Sequence, residues 1–222
     1  MKSHNVFSNF KKVLCVVTLI LYFSGLPVAL GNKPLGEAFT IAEFAVFFLM
    51  MPEMWGELKK LLKKPKLFLY VVVGFIMVFA LDSLLWGEII QPMLGSILKV
   101  APNNANTESL IQRIHENPGF MIFGCIFFGP VLEEILYRYT AFGMLYGKNK
   151  FVAYFVTALI FGIQHVAIAG IWGGDYAQFL NIGGYMIFSL IMSFVYKKTD
   201  SLCVPILIHI VGNAIGVYQI AL

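Results

Sequence analysis

The chain has 222 residues, of which 59% are apolar and 13% charged, and its formal charge is +4. Soluble domains run nearer ~45–50% apolar and ~25% charged, so this composition excludes a disordered chain, a disulfide-stapled secreted domain and an ordinary cytosolic enzyme. The small, scattered positive charge gives no nucleic-acid footprint. What remains is one all-α polytopic membrane domain over 1–222, a helix bundle whose first partner is the lipid bilayer. Apolar runs near the ~20 residues that cross a bilayer predict about seven spans, with six to eight as the range. They fall at 13–30, 36–51, 67–86, 120–138, 151–171, 179–196 and 202–222. The first could be mistaken for a secretion signal, since Ala29-Leu30-Gly31 weakly fits cleavage, but its apolar run exceeds a usual signal core. The second is the weakest, because it is short and carries Glu37 and Glu43. Between the third and fourth lies the longest polar stretch, 88–119, where 89–100 and 109–115 fit short helices on the membrane surface. Cys15, Cys125 and Cys203 sit in or beside apolar runs without metal-ligand or Cys-x-x-Cys spacing, and read as small packing residues.

Positive charge sets orientation. With the N-terminus in the cytoplasm, that side receives 13 of the 16 basic residues. They are Lys2, Lys11 and Lys12; Lys59, Lys60, Lys63, Lys64 and Lys66; Arg138, Lys148 and Lys150; Lys197 and Lys198. The outside keeps Lys33, Lys99 and Arg113, together with the acids Glu88, Glu108, Glu116 and Asp175. The expected location is a bacterial plasma membrane.

Ionisable groups inside spans are costly, so each is a functional candidate. In the fourth run, Glu134 and Arg138 stand at i and i+4 and can pair on one helix face, while Glu133 is turned ~100° away. Glu133 is thereby left to the interior as a general base, with Glu134 an anion held by Arg138. The competing reading pairs both glutamates with basic residues at the cytoplasmic boundary. Phe161 and His165 share a face of the fifth helix. So do His209 and Asn213 on the seventh, a pair that by itself could be interhelical hydrogen-bond glue. Together, a carboxylate, two imidazoles and a carboxamide from three helices supply what peptide hydrolysis in a dry site needs: a base for water and donors for an oxyanion. Glu133, His165 and His209 could alternatively ligate Zn²⁺ with a water in the open position.

Glu133-Glu134-x-x-x-Arg138, Phe161-x-x-x-His165 and His209-x-x-x-Asn213, in this order and on separate apolar helices, resemble the three motifs of the CPBP (Abi) intramembrane protease family, which includes the CAAX prenyl endopeptidases. The resemblance covers 120–222. It implies an interior polar cavity open toward the cytoplasm and membrane. It implies Glu133 as base with His165 sharing its water, His209 and Asn213 as the oxyanion hole, and Glu134, Arg138 and Phe161 in support. The family is commonly labelled metalloprotease, so Zn²⁺ is the one cofactor implied; glutamate-activated water needs none.

The substrate expected is a peptide or membrane protein. The sequence contains no His-Glu-x-x-His and no Gly-x-Ser-x-Gly. Asp175 falls in a polar loop, which argues against an aspartyl dyad with Asp82. A transporter would carry broken helices in both halves, whereas the polar groups here concentrate in the C-terminal half. The runner-up is a non-catalytic membrane protein of bacteriocin immunity that keeps the protease fold.

Overall fold

The structure, a computed structural model, describes residues 9–221, so Lys2 and the end of the last expected span at Leu222 lie outside the described residues. The described residues are almost entirely helical and contain no strand. Apart from a single turn at Leu26–Ala29, the helices are α1 Asn9–Ser24, α2 Lys33–Leu49, α3 Met51–Lys63, α4 Leu67–Leu98, α5 Ala105–Glu116, α6 Pro118–Tyr146, α7 Lys150–Trp172, α8 Tyr176–Thr199 and α9 Cys203–Ala221. Four of them, α4, α6, α7 and α8, are long and apolar enough to cross a membrane by length and composition. Counting α2 and α3, bent by 45° at their junction, as one span makes five. Of the remaining expected spans, α9 is apolar over Cys203–Gln219 but shorter, and α1 has 16 residues. The polytopic helical bundle expected from composition is present, and the figure of about seven exceeds what helix length alone supports.

Several ends differ from those expected, each for a local reason. The first helix stops at Ser24 instead of Leu30, because Gly25 takes φ +64°, and Pro27 follows. That backbone conformation costs little only without a Cβ. The third run does not break at Trp86; it continues through a stretch of π-type turns, Phe79–Ile90, to Leu98. It absorbs most of the surface helix expected at 89–100. The separate helix α5 is capped by Asn104, whose side chain accepts the Thr107 N–H. The fourth run continues past Arg138 to Tyr146. Arg138 consequently lies within its helix and fully buried, instead of ending the span.

Contacts between helix ends define two faces. On one, Lys11 pairs with Glu53 at 2.9 Å, and Lys60 with Asp200 at 3.4 Å. Glu57 there accepts the Leu202 N–H, and the Lys197 ammonium sits over the Tyr146 ring. On the other, Trp172 donates to the Ser24 carbonyl, and Gln91 donates to Asn181. Gln178 there donates to Asn103 and accepts the Ala105 N–H. The apolar core lies between, around Leu132, Ile135, Leu136, Tyr137, Phe142 and Phe161, all at 1% exposure or less. α4 closes on α8 where the Trp86 ring covers Gly183 so tightly that a Cβ there would overlap the indole.

Candidate active site

Glu133 and Glu134 enter the interior from α6 between two runs of π-type turns, Gly124–Phe128 and Ile135–Phe142. Such turns are rare and frequently mark functional sites. The i, i+4 geometry read from the sequence is realised: Glu134 Oε2 lies 3.2 Å from Arg138 Nε, both side chains fully buried. Arg138 also donates to the Ser189 carbonyl at 3.4 Å and stacks its guanidinium 4.8 Å from the centroid of Phe161. A desolvated cation over an aromatic face contributes about 2 kcal/mol, so Phe161 supports the ion pair as well as the histidines beside it.

Glu134 has a second partner that spacing could not reveal. Its Oε1 accepts from His209 Nδ1 at 3.0 Å. Because a carboxylate only accepts, this contact places the proton on Nδ1 and orients the ring. His209 Nε2 then points to Glu133 Oε2, 3.7 Å away. His209 is thus aligned between the two glutamates, with Phe188 edge-on to it at 4.8 Å.

Glu133 is 8% exposed. Its Oε1 accepts from Tyr22 Oη at 3.1 Å and from Gln164 Nε2 at 3.0 Å. Its Oε2 is buried and makes no hydrogen bond among the described residues. The carboxylate is therefore differentiated: one oxygen anchored twice, the other left for chemistry. Neither Tyr22 nor Gln164 belongs to the spacing motifs. Tyr22 is an uncharged residue in the first helix, far from the motifs along the chain. Gln164 had a signal, as an amide in an apolar run directly before His165.

His165 donates Nδ1–H to the Phe161 carbonyl at 2.9 Å, one turn back. A carbonyl only accepts, so Nε2 is the free acceptor of the neutral ring. The ring plane is set by Tyr185, stacked at 4.1 Å and 19°, and by Phe161 at 4.6 Å.

Asn213 Nδ2 donates to the Cys125 carbonyl at 2.8 Å. The reason is local. In the π-type turns the Gly129 N–H goes to the Gly124 carbonyl, so Cys125 would next be served by residue 130. That residue is Pro130, which has no N–H. Asn213 supplies the missing donor from another helix. One amide hydrogen is committed there, and the second remains for a ligand.

Glu133, His165, His209 and Asn213 all line one cavity of about 690 Å³. A second lobe of about 510 Å³ shares His165, His209 and Asn213 and extends past Asp82 on α4. Asp175 is not part of either lobe; it accepts hydrogen bonds from Gln178 at 2.8 Å and Asn103 at 3.5 Å and from the Ala177 N–H. These bonds, Gln178's foremost, hold its carboxyl below the usual range. The three cysteines are free thiols.

For zinc, the donor set Glu133, His165 and His209 does not converge. Among the described residues no group of three His, Cys, Asp or Glu side chains is arranged to hold a metal ion.

Residues 115–215 match the family model of the type II CAAX prenyl endopeptidase Rce1-like proteins. Among curated proteins, the membrane-embedded CAAX protease MroQ of Staphylococcus aureus (strain USA300) is 30% identical over 160 residues, covering 68% of this chain and 58% of the relative. YdiL of Bacillus subtilis (strain 168), whose name assigns it provisionally to the membrane peptidases, is 29% identical over 146 residues, covering 64% and 55%. The UPF0177 protein YvdC of Lactococcus lactis subsp. lactis (strain IL1403) is 24% identical over 148 residues, covering 67% and 51%, and its name carries no function. The chain therefore spans about half the length of the curated relatives it matches. No solved structure matches it. The matched region contains Glu133, Glu134, Arg138, Phe161, Gln164, His165, His209 and Asn213, and over that region the comparisons support the CPBP family of membrane proteases.

Proposed function

We propose that this chain is an intramembrane endopeptidase that hydrolyses a peptide bond of a membrane-associated peptide or protein with glutamate-activated water. The observation that carries the proposal is the split character of Glu133. Oε1 is pinned by Tyr22 and Gln164, and Oε2 is buried, unbonded and 3.7 Å from His209 Nε2. A water about 2.8 Å from each of these two atoms fits that separation.

In this scheme Oε2 takes a proton from the water, and His165 Nε2 accepts the water's other hydrogen bond and orients it. The water oxygen bonds to the scissile carbonyl carbon. His209 acts in this scheme as the imidazolium throughout, with Nδ1–H held by Glu134 and Nε2–H donated, and Asn213 donates its second amide hydrogen. Both donors act on the oxygen that becomes negative, where preorganised donors are most effective. The C–N bond then breaks, and the proton on Glu133 passes to the leaving nitrogen. Arg138 and Phe161 hold Glu134 and take no part in the reaction.

The test compares membranes of bacterial cells producing the chain or its Glu133→Gln variant, with peptide termini mapped by mass spectrometry. A set of new termini present with the unmodified chain and absent with the variant is expected, with equal amounts of protein in the membrane. Identical termini in the two cultures would overturn the protease reading in favour of binding alone.

A further inference from the structure

We infer that the cavity receives polypeptide from the extracytoplasmic side, so that its substrates are exported peptides or outward-facing segments of membrane proteins. Only the word substrate rests on the protease reading above; the sidedness does not.

The two faces of the bundle differ sharply in charge. One carries Lys11, Lys12, the lysines between 59 and 66, Lys148, Lys150, Lys197 and Lys198, at the ends of helices tied together by the Lys11–Glu53, Lys60–Asp200 and Glu57–Leu202 contacts. The other carries Lys33, Lys99 and Arg113 against Glu88, Glu108, Glu116 and Asp175. Burying Arg138 removes one residue from the count and leaves the asymmetry intact. Basic residues flanking spans stay on the cytoplasmic side, so the lysine face is cytoplasmic.

The cavity opens on the opposite face. Its outer rim is α5, through Asn106, Thr107 and Ser109, and the far end of α9 at Gln219, with Glu88 of α4 on the adjoining lobe. Toward the lysine face it is closed by described residues. Below the glutamates, Ile135, Leu136, Tyr137, Phe142 and Val204 are all at 0% exposure and fill the interior. A chain entering from the cytoplasm would have to displace this core; a chain entering past α5 meets Glu133 directly. The family resemblance implied a cavity open to the cytoplasm, and the lysine distribution and the cavity mouth together point the other way here.

The experiment uses the unmodified chain in intact bacterial cells, treated with a membrane-impermeant amine-reactive ester and analysed by mass spectrometry before and after lysis. Lys33 and Lys99 are expected to react in intact cells. Lys59, Lys63, Lys148 and Lys150, all exposed on the lysine face, are expected to react only after lysis. A Ser109→Cys variant should react with an impermeant maleimide in intact cells, placing the mouth itself. The reverse pattern, or equal labelling of both lysine sets, overturns the assignment. Labelling is independent of catalysis and should be the same in Glu133→Gln, so a failure of sidedness and a failure of the protease reading are seen separately. If both hold, the Glu133-dependent termini map to exported or outward-facing segments; termini confined to cytoplasmic segments overturn the substrate class.

Discussion

His209 Nδ1 lies 3.0 Å from Glu134 Oε1, so the second glutamate of the pair holds the histidine as well as Arg138. Glu134→Gln keeps the shape and removes the charge, leaving Arg138 buried without its counter-ion. Removing one partner of a buried pair costs about 3–5 kcal/mol. The variant is expected to unfold at clearly lower temperature in detergent and to lose the Glu133-dependent termini. Unchanged unfolding would mean that the Glu134–Arg138 contact carries no stability.

Tyr22→Phe deletes only the hydroxyl that donates to Glu133 Oε1. A hydrogen bond to a charged group contributes about 1.5–3 kcal/mol. If that is expressed in the transition state, the rate of appearance of the Glu133-dependent termini falls by roughly 10- to 100-fold. The aromatic ring is retained, so thermal unfolding should move little. A full rate in the Tyr22→Phe variant would show that Gln164 alone suffices to anchor the carboxylate.

Asn213→Ala should cost stability as well as rate, because it leaves the Cys125 carbonyl without a donor. A fully buried orphaned acceptor costs about 1–3 kcal/mol, and this part-buried carbonyl is expected at the low end. Adding Pro130→Ala supplies a backbone N–H where the π-type turn would place the donor for Cys125. The double variant is expected to regain thermal stability relative to Asn213→Ala while remaining slow. If Pro130→Ala gives no recovery, the capping explanation of this contact is wrong.

Incubation with a strong chelator is expected to leave the Glu133-dependent cleavage unchanged, given that no three metal-ligating side chains converge among the described residues. A loss of cleavage that added zinc restores would assign the reaction to a metal after all.

Gly183→Val should be strongly disruptive, since its side chain would occupy the space of the Trp86 ring. Overpacking costs roughly 1–3 kcal/mol or more. Trp86→Ala in the same chain should recover part of it, read by thermal unfolding in detergent.

Local spacing alone determined the membrane class, the lysine asymmetry, and the pairing of Glu134 with Arg138 across one helical turn. It also set Phe161 against His165 and put His209 and Asn213 on one face, because residues four apart on a helix meet whatever surrounds them. Packing decided the rest. Which oxygen of Glu133 is free depends on Tyr22, an uncharged side chain in a distant helix that no scan for charge or motif would select. Glu134 reaches His209, and Asn213 reaches the Cys125 carbonyl, only because α6 and α9 settle at one particular rotation and depth. The burial of Arg138 follows from α6 continuing to Tyr146, and the direction in which the cavity opens follows from where the apolar core closes it. These relations are set by the mutual placement of helices, a tertiary property that neither composition nor helical period encodes.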